Sequence, residues 1–505
     1  MRIRKNAPWS NVSKLHGVTP FLTFDPGSLE EICEAVRDAE VSNVRIRAVG
    51  SGHSPSDIAV TDGYLISTHK LTNVLPLDTL QLQASVDPTS LINLEAGITI
   101  KALNRYLEQK DLALLNMGAI DAQTIVGAIS TGTHGTGREQ ISMPGMVRSM
   151  VLVAAHGKIY RVEPSNGITD PDKHTETSIE LIQNDDFFYS LLINLGVMGI
   201  IYSVIIEVRP IYWLLEKRHI TKWSNLRKDL SSQKLFEPEI VEITGTNKEH
   251  LARGITVMIN PHKVGGDHLC MLSKIFEVEQ PEGHLRPKGR SKLSKFLSDL
   301  PISYWTYLWV VRNRPKLVPK LLNLVIKSTS SQILDLSHRV LHAGSAYIQN
   351  KSSSCEFGYR IDQEGYLKTV EDLFVKSSEL ANLYSLYSSI PIGLRFTKAS
   401  KAYLSPEFGH NVCYVVTPAL VEQPGFKLLL NSFQEIHIRN GGKPHWAKIT
   451  NRIDGRIDLL QKWYPKLETW IDVMRHFNPD DTFSNGFSDR LGLTTSLARK
   501  SYLLN

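Results

Sequence analysis

The hydrophobic positions of this chain change period several times, and each change marks an element. From Gly27 to Arg37 the run GSLEEICEAVR reads as a capped helix, with Ser28 at the N-cap and Glu31 three residues on, the spacing of a capping box. From Asn43 to Val49 the period falls to two. Val44, Ile46 and Ala48 alternate with polar residues, which predicts a strand that ends in Gly50-Ser51-Gly52. Further strands are predicted at 64–67, 91–97, 147–154, 158–163 and 200–208, and a helix at 100–110, where Leu103 and Leu107 stand four apart. Pro210 is expected to close this first unit. The stretch 211–380 is less regular: short alternating pieces at Ile240–Ile243 and Ile255–Ile259 precede a basic, Pro-punctuated segment at 281–327. Alternation returns at 392–397 and 411–417, and helical spacing at 426–438 and 464–476. The order implies an N-terminal α+β unit followed by a mixed domain that closes at the C-terminus.

Composition narrows the class. A chain of 505 residues holds two or three domains, and 42% hydrophobic with 21% charged residues excludes wholesale disorder. No period of about 20–50 residues recurs, which excludes repeat architectures. The four cysteines, Cys33, Cys270, Cys355 and Cys413, contain no C-x-x-C pair, so neither a disulfide framework nor a zinc site is expected. They read as small buried hydrophobes in a reducing, intracellular compartment.

The net charge of +6 is local: residues 284–327 carry ten Lys/Arg against one acid, Asp299. A nucleic-acid protein spreads its basic face more widely, so that class is set aside. The start, MRIRKNAPWSNVSKL, lacks the apolar core of a secretory signal. The apolar runs near 193–206 and 302–311 fall short of the roughly 20 residues that cross a bilayer. Within 284–327 the cations are interleaved with Tyr304, Trp305, Tyr307, Leu308, Trp309, Leu317, Leu321, Leu322 and Val325. Two readings stay open there: a peripheral membrane contact, or a core helix with a solvated basic face.

Four motifs carry chemistry. Val49-Gly50-Ser51-Gly52-His53-Ser54-Pro55-Ser56-Asp57 follows a strand, and its glycines let backbone N–H groups approach an anion. Taken alone it reads more readily as a Gly turn with a surface His. The segment 116–137 mixes Gly118, Gly127, Gly132, Gly135 and Gly137 with hydroxyls and with apolar Ile120, Ile125, Val126 and Ile129, as a buried wrap around a phosphate-bearing cofactor would. His134 within it reads as a satisfied structural histidine. In Ile390-Pro391-Ile392-Gly393-Leu394-Arg395-Phe396-Thr397 a mid-strand Arg395 shares a face with Gly393 and Thr397. It reads either as an ordinary surface Arg on a half-exposed strand or as a buried one that meets an anion or polar ligand, since burial is otherwise costly. Gly441-Gly442-Lys443-Pro444-His445-Trp446-Ala447-Lys448 forms a tight turn that projects His, Trp and Lys.

Together with FNPDDTFSN at 477–485, these motifs resemble the sugar-1,4-lactone oxidases, a family of vanillyl-alcohol-oxidase-type FAD flavoproteins. The resemblance covers roughly 9–215 and 385–490. It implies an FAD domain over 15–211, a substrate-binding cap over 212–490 that diverges in 215–380, and a tail over 491–505. It implies FAD bonded covalently through His53, where a plant dehydrogenase relative has Leu. The implied flavin contacts are Gly50, Ser51, Gly52, Ser54, Gly118, Gly127, Thr131, Thr133, Gly135, Thr136 and Ile201. The implied reaction oxidises an aldonolactone at its C2 hydroxyl, with Arg395 and Lys448 as active-site cations and O2 as acceptor. Gly118 matches a flavin-wall position that is Gly in oxygen-using members and Ala in the plant dehydrogenase. One departure stands out: relatives read P-x-E-x-R-F, and Gly393 replaces that Glu, so either another acid substitutes, from the divergent middle, or substrate binding is weaker. Two alternatives remain: a dehydrogenase that passes electrons to cytochrome c or a quinone, and a non-catalytic, membrane-attached flavin-binding protein.

Overall fold

The computed structural model describes residues 1–243, 246–280, 301–330, 332–342 and 351–494. The expected elements of the N-terminal part form within a few residues of their sequence bounds. Helix Leu29–Val41 buries Ile32, Cys33, Ala35, Val36 and Ala39, and Ser28 Oγ accepts the Glu31 N–H at its N-cap. Only half of the capping box forms, because the Glu31 carboxylate accepts the Gly27 N–H instead. That helix covers a four-stranded sheet in which Leu22–Asp25, Tyr64–Ser67 and Ile46–Val49 run parallel. The chain leaves this sheet at the carboxyl end of Ile46–Val49, where parallel sheets open a crevice.

A second, seven-stranded sheet follows, with Val147–Val153 and Ile200–Pro210 at its centre. The chain then passes from Pro210 to Trp213 into an eight-stranded, antiparallel sheet. One face of this third sheet is apolar. Val257, Leu272, Phe357, Leu394, Phe396 and Val415 pack there under helices Trp223–Ser231, Gly365–Tyr384 and Phe426–Arg439. Because side chains alternate, Thr256, Gly393, Arg395, Tyr414, Val416 and Glu356 stand on the opposite face, the one turned toward the N-terminal sheets.

The C-terminal stretch does not stay with that sheet. Trp446, Trp463, Trp470, Phe477 and Phe487 pack into the core of the seven-stranded sheet. Thr482, Phe483 and Asn485 bond the backbone or side chains of residues 46–60. The segment expected as the closing part of the cap therefore also seals the N-terminal sheets. All four cysteines are free and buried.

Residues 284–300 of the basic segment lie outside the described residues, as do residues 495–505 of the tail. The remainder forms helices Pro301–Asn313 and Val318–Ser328. Tyr304, Leu308, Val311, Val318 and Leu322 bury against Leu420, so one face is core. Trp305, Trp309, Leu317, Leu324 and Val325 are exposed on the other. Among the described residues, no helix is long and apolar enough to cross a membrane.

Candidate functional site

A cleft partly open to solvent lies at the carboxyl end of Ile46–Val49. Of the residues expected from the sequence, Gly50, Ser51, Gly52, His53, Ser54, Gly127, Thr131 and Ile201 line it. The glycines are there for physical reasons. A Cβ on Gly50 would stand 2.0 Å from Thr124 Oγ1, and Gly52 has a left-handed φ of 66°. The turn is held from outside: the Val12 N–H donates to Gly52 O at 2.9 Å and Asn11 Nδ2 to Ser54 O at 3.0 Å. His53 is half-buried, and burial lowers its pKa, with the Lys448 charge acting the same way and Asp121 opposing.

Sequence reading missed Arg47 in this wall. It stands at a polar position of an alternating strand, yet it is 2% exposed. Its guanidinium donates to Ile58 O (2.8 Å), Gly196 O (2.7 Å), Phe483 O (2.9 Å) and Leu195 O. Burial pushes its pKa down to about 9. No carboxylate lines the cleft. A Gly-rich turn with backbone N–H groups and no carboxylate beside it suits a dinucleotide with a diphosphate, so the residues present suit FAD.

Gly118, Thr133, Gly135 and Thr136 stand instead where the N-terminal sheets meet the third sheet. Gly118 packs on Thr133, and Gly135 fits between Asn116 and Met117 O, each too close for a Cβ. Thr136 Oγ1 donates to Ile255 O, and Gly137 bridges Thr397, so this loop docks beside the strand that carries Arg395.

At that junction the side chains converge. His134 stacks on Tyr414 with ring centroids 3.7 Å apart and planes within 8°. Its Nδ1 lies 3.0 Å from Gly135 O, and its Nε2 lies 3.3 Å from Glu356 Oε1. Lys448 Nζ is 3.6 Å from Glu356 Oε2. Burial acts to raise the Glu356 pKa, but Lys448 and His134 outweigh it and hold the carboxyl well below its usual range. Burial drives His445 down to about 3 and raises the neighbouring acid Glu407, which accepts Ser142 Oγ at 2.7 Å. In the Gly441–Lys448 turn, Trp446 is buried and donates to Leu404 O, and burial lowers Lys443 to about 8.

Arg395 is half-buried, and among the described residues no hydrogen bond or ion pair engages its guanidinium. Next to it, a Cβ on Gly393 would meet Val416 Cγ1 at 2.6 Å, so a larger residue fits there only if Val416 moves.

His134, Glu356 and His445 have the spacing of a metal site. The Ala447 N–H donates to His445 Nδ1 at 3.2 Å, which leaves the proton on Nε2. Lys448 also stands where a metal cation would feel repulsion. The cluster is better occupied by its own ammonium.

Comparisons with known proteins agree with this layout. Residues 20–163 match the FAD binding domain family, and residues 267–491 match the D-arabinono-1,4-lactone oxidase family. The chain is 26% identical over 499 residues to L-gulonolactone oxidase of Mus musculus, covering 96% of this chain and 98% of that one. It is 26% identical to L-gulono-1,4-lactone dehydrogenase of Mycobacterium tuberculosis, again over 96% and 98%. It is 24% identical to D-arabinono-1,4-lactone oxidase of Yarrowia lipolytica, over 94% and 95%. Among solved structures it is similar to cholesterol oxidase from B. sterolicum, with a TM-score of 0.72 at 14% identity over 97% of both chains. It is also similar to BBE-like 1 of Physcomitrella patens, with a TM-score of 0.59 at 11% identity over 95% and 93%. These structural likenesses carry the fold alone.

Proposed function

Since the chain belongs to the sugar-1,4-lactone oxidase family of FAD flavoproteins, we propose that it oxidises an aldono-1,4-lactone at the C2 hydroxyl and passes the electrons to O2. L-Galactono-, L-gulono- and D-arabinono-1,4-lactone are the candidate substrates, and the product is ascorbate or its five-carbon analogue with hydrogen peroxide. The observation that carries this reading is Arg395, half-buried and, among the described residues, without a hydrogen bond or ion pair, on the sheet face that also carries Glu356, the partner of Lys448. FAD, when bound, supplies the hydride acceptor. Arg395 binds the lactone's oxygens and fixes the C2 carbon, and Lys448 offsets negative charge that develops on the C2 oxygen. At Gly118 and Gly135 a Cβ would press on Thr133 and on Asn116, so both positions are tight.

His53 is proposed as the covalent link to the flavin, from its place on the Gly turn that lines the cleft. Acid-precipitated protein then stays yellow, with an FAD-sized mass increment on the His53 peptide; colourless protein with free FAD in the supernatant contradicts it. The exposed Trp305 and Trp309, flanked by Arg312, Arg314 and Lys316, are proposed to touch an anionic membrane surface inside the cell. Pelleting with anionic vesicles at low salt tests that contact, and its absence favours a solvated face. A second reading of the acceptor, a dehydrogenase that uses cytochrome c or a quinone, is favoured by the relative of that name in Mycobacterium tuberculosis. Steady-state assays with the three lactones decide. Peroxide production supports the oxidase, dye-only turnover supports the dehydrogenase, and silence with flavin present leaves a binding protein.

A further inference from the structure

A carboxylate buried at an active-site junction needs a reason, because its charge is costly there unless it is paired. Glu356 is 4% exposed, on strand Ser352–Arg360. The strand register sets it in one row with Val416 and Gly393, on the face that carries Arg395 and Tyr414. It therefore places an acid on this face where position 393 offers none. Both of its oxygens are engaged: Oε1 faces His134 Nε2 at 3.3 Å and Oε2 faces Lys448 Nζ at 3.6 Å. Its backbone is also tied to the same turn, since the His445 N–H donates to Glu356 O at 2.9 Å. Lys448 has an open side, with its side chain 29% exposed.

We infer that Glu356 is a positioning residue. It bridges His134 on the cofactor-side loop and Lys448 on the turn after Lys443–Pro444, and so aims the Lys448 ammonium at the substrate oxygen. This inference rests on the role given to Lys448 under the proposed function. A flexible lysine side chain has four rotatable bonds, and an ammonium without an anchor samples many positions. The bridge limits it to one. His134 is fixed in turn by Gly135 O and by its stack on Tyr414, so the anchor refers the cation to the flavin-side wall.

The test is a double-mutant cycle on the FAD-loaded protein. Reduction of the flavin by saturating lactone is followed without oxygen in the parent, Glu356→Gln, Glu356→Asp, Lys448→Met and Glu356→Gln/Lys448→Met. Glu356→Gln is expected to slow reduction about tenfold or more in the parent but less than twofold when Lys448 is already Met. Glu356→Asp should recover part of the rate, and FAD content should be equal in all variants. Equal slowing in both backgrounds assigns Glu356 a merely structural role and overturns the inference, as does an unchanged rate. A second arm needs no substrate. Reductive methylation of Lys448, read by mass spectrometry, should be several-fold faster in Glu356→Gln, and an unchanged rate counts against the bridge. If no lactone reduces the parent, the proposed function falls, and the methylation arm still judges the contact between Glu356 and Lys448.

Discussion

Replacing Gly118 with Ala tests the proposal that this glycine gates the approach of O2 to the flavin, against the alternative that it is needed for its backbone angles. The residue does not need its backbone freedom, because its φ is not in the left-handed region. What excludes a side chain is Thr133: a Cβ at 118 would lie 2.8 Å from Thr133 Cγ2. Carbon contacts prefer about 3.5–4.0 Å, so roughly 0.7 Å must be found. The Thr133 backbone cannot give it, since its N–H donates to Ala128 O at 2.9 Å and its carbonyl accepts the Met143 N–H at 3.0 Å. The side chain must turn away, at the cost of the 3.5 Å contact with Gln123 Nε2. Overpacking of this size costs about 1–3 kcal/mol. Gly118→Ala should therefore fold, keep FAD, and melt a few degrees lower. Adding Thr133→Ser removes Cγ2 and should restore most of the melting temperature. Both variants should still be reduced by lactone and should react slowly with O2, because the methyl at 118 remains. The assays are thermal unfolding and separate measurement of the two half-reactions. Failure of Thr133→Ser to restore stability would refute the steric argument, and unaltered oxygen reactivity in a flavin-replete variant would refute the gate.

Two further predictions concern stability. Arg47→Met removes a guanidinium bonded to four carbonyls from Ile58, Leu195, Gly196 and Phe483, so those acceptors lose their partner inside the protein; a loss on the order of 3–5 kcal/mol is expected from the denaturant midpoint, and an unchanged midpoint contradicts it. Burial lowers His262 to about 4 and His437 and His445 to about 3, so all three stay neutral in the fold while the unfolded chain takes up protons below about pH 6.5. Their contribution is complete above that pH and is lost as pH falls toward 4, and His437→Gln should flatten the acid limb of a stability–pH curve; an identical limb would assign the loss elsewhere.

The sequence made much of this legible because period-two alternation is local. Ile392–Thr397 and Val412–Leu420 form where the pattern places them, and Arg395 shares a face with Gly393 as its spacing requires. The Gly turn before His53 was visible for the same reason. Arg47 was not, since an alternating strand assigns its odd position to solvent, and only the fold brings carbonyls from residues 58, 195, 196 and 483 around it. Glu356 lay in the segment that matched no motif, and its partners are 222 residues before and 92 after it. A substituting acid from that segment was one of two alternatives, and no local signal could have named it. The return of Trp446–Leu493 to the N-terminal core was hidden likewise, because amphipathic helices show which face is buried and not against what.

The most direct measurement mixes the FAD-loaded protein with each aldonolactone in the absence of oxygen and follows the flavin's visible absorbance through a single turnover. At least one lactone should bleach it, and Arg395→Ala, with its FAD content intact, should bleach about 10²–10³-fold more slowly, in line with the loss of one charge-stabilising donor. A flavin-replete protein that no lactone reduces, or an Arg395→Ala variant reduced as fast as the parent, would contradict the proposed lactone oxidation.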